Sequence, residues 1–148
     1  MSDKKVADLL AEDHARLEER VRALCQPLDA GDLQAATAAV TTLSVELLRH
    51  MREEDEQLFP LFAARLLMVR PTTVLSREHR RIAALLRDVS EAIDDGELVR
   101  ARHSTDDLLA LLEDHHRREQ EGLYSWADML LGPEARDRLI HQLLGEAA

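Results

Sequence analysis

Histidines and glutamates recur at one fixed spacing in the two halves of this chain. In the first half, His14 is followed 36 residues later by His50, and Glu54 comes four residues after His50. The second half repeats this spacing at His79, His115 and Glu119, whose numbers are those of the first set shifted by 65. Imidazole and carboxylate groups are side chains with which proteins bind iron, manganese and zinc. Because the pattern occurs twice in register, these six residues predict a centre that holds two metal ions.

The duplication favours a metal site over a purely structural role for these residues. A single histidine among apolar residues is usually a hydrogen-bonded core residue. A buried glutamate is different, because a buried carboxylate without a partner is strongly unfavourable and is normally paired or bound to a cation. The other histidines have no counterpart under the shift, and we expect them on the surface: His103, His116 and His141. Asp13 and Glu78 each precede a candidate ligand. Either could orient an imidazole, but we expect both to face solvent.

Four amphipathic segments must position the candidate ligands. Apolar residues recur at helical spacing over residues 6–28, 33–61, 75–93 and 98–126. Each candidate ligand takes a place in one of these apolar rows where a leucine would otherwise be expected. Residues four apart lie on one helical face, about 5–6 Å apart at Cβ, so each HxxxE pair directs two ligands at one spot. A spacing of 36 residues is about one helix up and the next one back, which brings the two histidines of each half to one level.

Short turns connect these segments into an antiparallel bundle. Residues 29–32 and 94–97 align under the same shift, and each turn has a glycine just past the predicted end of a helix, Gly31 or Gly96. Short turns make consecutive helices antiparallel neighbours. The sequence therefore predicts an all-α, up-down-up-down antiparallel four-helix bundle.

Prolines mark three breaks in the helical pattern. Pro60 is expected to end or kink the second helix, and Pro71 to close the segment that links the two halves. Beyond Gly132-Pro133, residues 134–144 predict a short C-terminal fifth helix. The whole chain, residues 1–148, is expected to form one domain, because its length suffices to bury a core without disulfides.

Composition restricts the classes of function. Hydrophobic residues make up 45% of the chain but aromatic residues only 3%, so the core must be mostly aliphatic. The net charge of −10 argues against a nucleic acid partner, because phosphate binding needs a basic surface. The apolar runs are too short to span a membrane, no signal peptide is evident, and the single Cys25 fits a reducing compartment. We therefore expect a cytoplasmic, soluble protein that binds neither nucleic acid nor membrane.

These residues resemble the hemerythrin-like family, bundle domains named for a His-His-Glu cation-binding pattern. The resemblance rests on four motifs: His14, HMREEDEQLFP at residues 50–60, Glu78-His79, and HHRRE at residues 115–119. It implies a non-haem di-iron centre. The histidine pairs on the two irons would be His14/His50 and His79/His115. Glu54 and Glu119 would bridge the irons, with an oxo or hydroxo group between the metals. Coordination positions left open on both irons would bind a small molecule.

One departure separates this chain from the oxygen-carrying hemerythrins. Those proteins place three histidines on one iron, two of them four residues apart on the third helix, and use an HxxxxD pair on the fourth. Here Leu75 and Ala83 stand four residues before and after His79, and the fourth helix has HxxxE. The six-residue set is closer to hemerythrin-like proteins linked to iron-centre repair, nitric oxide, peroxide or iron sensing. The resemblance therefore implies a redox, iron or stress protein that binds or reacts with O2, NO or peroxide.

Several alternatives stay open at this point. The centre could be a sensor whose occupancy or oxidation state is read by a protein partner, without turnover. A helical interaction module with vestigial ligands would bind no metal. A ferritin-like carboxylate bundle needs Glu-x-x-His pairs, and only Glu113 and His116 have that spacing. Zinc would not require six ligands in two equal halves, whereas manganese uses the same ligand types as iron. Enzymatic turnover, such as peroxide disproportionation or nitric oxide reduction, would have to come from the metal.

Overall fold

The computed structural model describes residues 5–66, 70–124, 129 and 131–143, and within these ranges the secondary structure is helical, without a strand. The helices in chain order are α1 (Val6–Arg22), α2 (Cys25–Asp29), α3 (Leu33–Glu53), a π-helical turn (Glu54–Leu58), α4 (Phe59–Leu66), α5 (Arg70–Asp94), α6 (Leu98–Gly122) and α7 (Pro133–Leu143). The predicted helix ends at residues 126 and 144 lie outside the described residues.

The four long helices pack as a ring around one core. α1 contacts α3 and α6, and α5 contacts the same two helices from the opposite side. The short α2 continues the direction of the first predicted helix and packs on α6 and α3, while α7 packs against α1. The prediction of a four-helix bundle with a short C-terminal fifth helix is thus confirmed.

Glycine closes the two predicted turns. Gly31 has φ 71° and Gly96 has φ 72°, in the left-handed region that a side chain disfavours. In each turn the next residue donates its N–H to a carbonyl five positions earlier, at 2.9 Å for Asp32 and 2.8 Å for Glu97. This arrangement satisfies the last carbonyls of the preceding helix. The internal repeat therefore extends from the ligands to the turns that align them.

The second predicted helix does not end at Pro60. It widens into the π-helical turn and continues through α4, with Pro60 as the second residue of α4. Proline has no N–H to donate to the carbonyl four residues earlier, and its ring crowds that carbonyl, so a wider turn before it relieves both problems. Pro71 lies in the first turn of α5, where a missing N–H leaves no helical hydrogen bond unmade. Both prolines therefore lie inside helices and not between them.

A polar layer divides the core into two apolar clusters. In α1, Val6 and Leu10 belong to the smaller cluster and Leu17 to the larger one, with His14 between them. α5 shows the same order along the chain, and the second and fourth long segments show the reverse order, because they run antiparallel to α1 and α5. The candidate ligands consequently lie in one layer that crosses the bundle.

Candidate metal centre

All six candidate ligands are buried and come together in this layer. None of them is more than 4% exposed. They come from every long segment: His14 from α1, His50 from α3, Glu54 from the π-helical turn, His79 from α5, and His115 and Glu119 from α6. The Nε2 atoms of His14 and His50 lie 3.2 Å apart although 36 positions separate these residues. The spacing therefore does return the second histidine to the level of the first.

Glu54 and Glu119 stand between the histidines of the two halves. Oε1 of Glu54 lies 3.0 Å from Nε2 of His50 and 3.2 Å from Nε2 of His79. Glu119 directs Oε2 toward Nε2 of His14, at 3.5 Å, and Oε1 toward Nε2 of His79, at 3.6 Å. Each carboxylate therefore faces histidines from both halves of the chain, and Glu119 also contacts Nε2 of His115.

Two overlapping clusters of histidines and glutamates result, and a third group joins His14 and His50 to His116, which the sequence did not predict as a ligand. The first half-site is the pair His14 and His50, and the second half-site is the pair His79 and His115. In each half-site, one ligand atom from each histidine and from each of the two glutamates all lie within 4.8 Å of one another. The glutamates belong to both clusters, which is the arrangement expected for two neighbouring cations with shared carboxylates.

Asp13 and Glu78 hold imidazoles and do not simply face solvent. Nδ1 of His50 hydrogen-bonds to Oδ2 of Asp13 at 2.6 Å, and Nδ1 of His115 to Oε1 of Glu78 at 3.2 Å. Each acid precedes a ligand on its own helix but reaches the ligand of the next helix, because successive helical residues point about 100° apart. The expectation of solvent-facing positions is therefore wrong. A carboxylate at Nδ1 keeps a proton on that nitrogen and leaves Nε2 free for a metal.

Polar groups also lie near Nδ1 of the other two histidines, which the spacing of histidines and glutamates does not reveal. Oδ1 of Asp55 lies 3.0 Å from Nδ1 of His79, although this nitrogen makes no well-formed hydrogen bond. The carboxamide nitrogen of Gln120 lies 3.3 Å from Nδ1 of His14. The shift of 65 relates Asp55 to Gln120, just as it relates the two acids described above. A search for the repeat among all polar residues would have indicated both positions.

His116 is buried, contrary to the prediction of a surface position. It is 2% exposed, its ring stacks on that of His14 with centroids 3.7 Å apart, and its Nδ1 lies 3.0 Å from Glu18. The reason is that α6 contacts both α5 and α1, so a residue about 100° from the ligand row enters the α1–α6 contact. Burial lowers the pKa of His116. His103 and His141 are exposed, as predicted.

One aromatic ring lies beside each half-site. Phe59 stacks on His79 and Tyr124 lies tilted against His14, each with ring centroids 5.4 Å apart. The shift of 65 relates Phe59 to Tyr124. Only Tyr124 has a hydroxyl group, and it donates a hydrogen bond to Oε2 of Glu119. The two half-sites therefore differ in polarity at this position.

The imidazoles carry unequal charge in the absence of a metal. Burial lowers the pKa of His14 to about 3 and that of His115 to about 4. Burial acts in the same direction on His50, but the neighbouring carboxylates, Glu54 first, outweigh it and raise the pKa of His50 to about 10. Around His79 the carboxylates also outweigh burial and raise its pKa to about 11. Each half-site thus combines one neutral and one cationic imidazole.

The two glutamates have opposite pKa shifts. Burial raises the pKa of Glu119, and the negative charge of Glu54 raises it further, well above the ordinary value. Glu54 is just as buried, but the positive charge of His50 outweighs burial and holds the pKa of Glu54 well below its ordinary value. Two carboxyl groups this close ionise in sequence, with Glu54 losing its proton before Glu119.

Several buried atoms of the layer lack a partner within the described part of the protein. Both oxygens of Glu54, Oε1 of Glu119, both ring nitrogens of His79 and Nε2 of His115 make no well-formed hydrogen bond. Buried polar atoms in folded proteins normally have one. These atoms cluster in one place, and imidazole with carboxylate is a donor set that suits first-row transition metals. The residues therefore fit the metal that their pattern predicts.

Among the described residues, no helix has the length and apolar character needed to cross a membrane.

Comparison with known proteins agrees with the chemistry of the candidate metal centre. The family model described as Hemerythrin HHE cation binding domain matches residues 5–127 and matches a second time over residues 70–146. No curated protein and no solved structure matches the chain significantly. The first match spans most of the chain, and the family implies a bound metal cation, commonly iron. The chain therefore belongs to the hemerythrin HHE cation-binding family.

Proposed function

We propose that this chain is a non-haem di-iron protein whose centre binds or reacts with O2, NO or peroxide. The observation that carries the proposal is the overlap of two four-residue clusters that share Glu54 and Glu119. A site for one ion would need only one such cluster. Two clusters joined by common carboxylates support two ions held close together, the arrangement that two-metal centres use.

The ligands divide equally between the two metals. The first half-site, His14 and His50, would hold one iron, and the second half-site, His79 and His115, would hold the other. Glu54 and Glu119 would contribute an oxygen to each. Four protein ligands leave positions free on an iron that prefers six. When bound, the two irons would supply redox chemistry toward a small molecule in those positions.

The protein's own residues restrict access and hold the ligands in place. The layer lies between two apolar clusters, so a reacting molecule must be small and weakly polar to pass between their side chains. Hydrogen bonds at the Nδ1 atoms of three ligand histidines orient their rings, and Asp55 places a negative charge 3.0 Å from Nδ1 of His79. The hydroxyl of Tyr124 donates a hydrogen bond to Glu119 and so orients that carboxylate. These contacts keep the ligand geometry constant while the charge of the centre changes.

Elemental analysis of protein purified from iron-replete cells tests the proposal. We expect two irons per chain and the visible absorption of an oxidised di-iron centre. His50→Ala and Glu119→Ala should each lose iron and this absorption. His103→Ala is the matched control, because His103 is an exposed histidine on α6, and it should keep both.

Each analytical result decides between interpretations. Two irons whose absorption changes on addition of O2, NO or peroxide would support the proposal and name the molecule. Two manganese ions would keep the site but change its metal. A single zinc, or no metal at all, would overturn the proposal. The cytoplasmic location, the single-domain organisation and a protein partner stay predictions.

A further inference from the structure

The two half-sites have the same ligands but unequal partners behind them. In the second half-site both imidazoles face an anion at Nδ1, Asp55 for His79 and Glu78 for His115. In the first half-site only one imidazole faces a carboxylate. The Nδ1 atom of His14 faces the neutral carboxamide of Gln120. The two halves of the internal repeat therefore differ in charge at one position, where Asp55 corresponds to the neutral Gln120.

A carboxylate and a carboxamide act differently on a ligand histidine. A carboxylate only accepts hydrogen bonds, so it keeps the proton on Nδ1, leaves the lone pair on Nε2, and makes the imidazole a stronger donor to metal. A carboxamide can either donate or accept. Gln120 therefore does not favour the metal-binding tautomer of His14 as the anionic Asp55, 3.0 Å from Nδ1, favours that of His79.

The hydroxyl of Tyr124 adds to this difference. It donates to Oε2 of Glu119, the oxygen that faces His14 at 3.5 Å. A hydrogen bond on this oxygen draws electron density away from a metal in the first half-site. Oε1, the oxygen that faces the second half-site, accepts no such bond. Phe59, which stands in the corresponding place beside the second half-site, has no hydroxyl to donate.

His116 lies beside the first half-site, and one of its nitrogens is within 4.8 Å of nitrogens of His14 and His50. Its ring is stacked parallel to that of His14, with an interplanar angle of 4° and centroids 3.7 Å apart, so the nitrogen lone pairs of the two rings lie in separate parallel planes. Nδ1 of His116 lies 3.0 Å from Glu18. His14 and His116 would therefore not hold one metal together while stacked, and each half-site would use four protein ligands.

We infer that the two metal positions are unequal, with the second half-site binding its metal first and the first half-site holding a weaker, exchangeable metal. This inference rests on the proposed function, because it concerns the two ions of that centre. Partners behind a metal ligand typically change affinity about 10- to 100-fold. At limiting iron the protein would thus carry one ion, and the pair would form only when iron is plentiful.

Anaerobic calorimetric titration of the metal-free full chain with Fe(II) tests the inference. The wild type should show two steps whose dissociation constants differ at least about tenfold. His14→Gln should lose the weak step and keep the tight one, while its counterpart His79→Gln should lose the tight step. These two variants assign the steps to the half-sites.

Two isosteric exchanges then test the cause. Asp55→Asn should weaken the tight step about 10- to 100-fold, and Gln120→Glu should strengthen the weak step by a similar factor. Tyr124→Phe should also strengthen the weak step. Asp106→Asn, which alters an exposed acid elsewhere on α6, should change neither step. If Asp55→Asn fails to fold, Gln120→Glu and Tyr124→Phe still decide the matter.

The outcomes separate this inference from the function on which it rests. Two equal steps in the wild type, or a tight step that survives in His79→Gln but not in His14→Gln, would overturn the inference and leave the di-iron proposal intact. No binding of Fe(II) by the wild type would overturn both. Two ordered steps that shift with Gln120→Glu would support both.

Discussion

Replacement of Glu119 by leucine should stabilise the metal-free protein, whereas the same replacement of Glu54 should destabilise it. Burial and the charge of Glu54 raise the pKa of Glu119 well above its ordinary value, so without a metal the surroundings favour its neutral form. The pKa of Glu54 lies well below its ordinary value, because its charge compensates two cationic imidazoles, His50 and His79. Loss of Glu119 removes no charge, whereas loss of Glu54 removes a buried anion from beside two cationic imidazoles.

The structure indicates the size of each effect. Oε1 of Glu119 is buried without a hydrogen bond, and an unsatisfied buried group costs about 1–3 kcal/mol. Tyr124→Phe is combined with Glu119→Leu, so that the hydroxyl does not lose its acceptor. At about 2–4 °C per kcal/mol, the double variant should melt about 2–12 °C higher than the wild type. Removal of one partner of a buried ion pair costs about 3–5 kcal/mol, so Glu54→Leu should melt about 6–20 °C lower.

The assay is thermal unfolding followed by far-UV circular dichroism at pH 7 in excess chelator. Tyr124→Phe alone is the control for the double variant. Both glutamate variants should fail to bind two irons, so opposite stability changes would accompany the same functional loss. A double variant that melts below the wild type, or a Glu54→Leu protein as stable as the wild type, would refute the reasoning. Either result would mean that the polar layer stabilises the metal-free fold. The layer would then not lower stability for the sake of metal binding.

Three further predictions concern protons and the turns. Metal binding at pH 7 should release about two protons per chain from His50 and His79, whose pKa values are about 10 and about 11, because metal ligands bind deprotonated. The raised pKa of Glu119 should add to this release. Calorimetry in buffers of different ionisation enthalpy measures this number, and a release near zero would contradict the assigned charges. His50 has a folded pKa of about 10 against an ordinary value of 6.5. Its contribution to stability is therefore complete below pH 6.5 and is lost as pH rises through about 10. The melting temperature of metal-free protein should fall over that window, and that of iron-loaded protein should fall less. Gly96→Ala, at φ 72°, should lose about 1 kcal/mol in urea unfolding, whereas Gly122→Ala, helical and with nothing near its added Cβ, should gain about 0.5–1 kcal/mol.

Local sequence was sufficient to predict the helical bundle and the layer of candidate ligands. Helical periodicity identifies which residues of each segment face inward, and a histidine or glutamate in such a row is conspicuous because it is costly to bury. Gly31 and Gly96 were predictable because the left-handed conformation strongly selects glycine. The structure places all six residues together, and their role as metal ligands stays a proposal.

Contacts between different helices were harder to predict than which face of each helix points inward. Periodicity gives the angle of His116 around α6 but not the number of helices packed against α6, so its burial against His14 was missed. The same limit applies to Asp13, which lies beside one ligand in sequence and hydrogen-bonds to another in space. The π-helical turn before Pro60 was missed because a proline in a helical pattern signals a disturbance without specifying its form.

The sequence by itself determined that two equivalent ligand sets line the inside of a helical bundle, because the helical period and the internal repeat can both be read along the chain. Only the tertiary structure decided which group stands behind each imidazole. His14 and Gln120 are 106 positions apart and meet because α1 and α6 become neighbours. The two half-sites differ because of such long-range contacts. Which side chain lies beside the Nδ1 atom of a ligand histidine depends on which helices pack together.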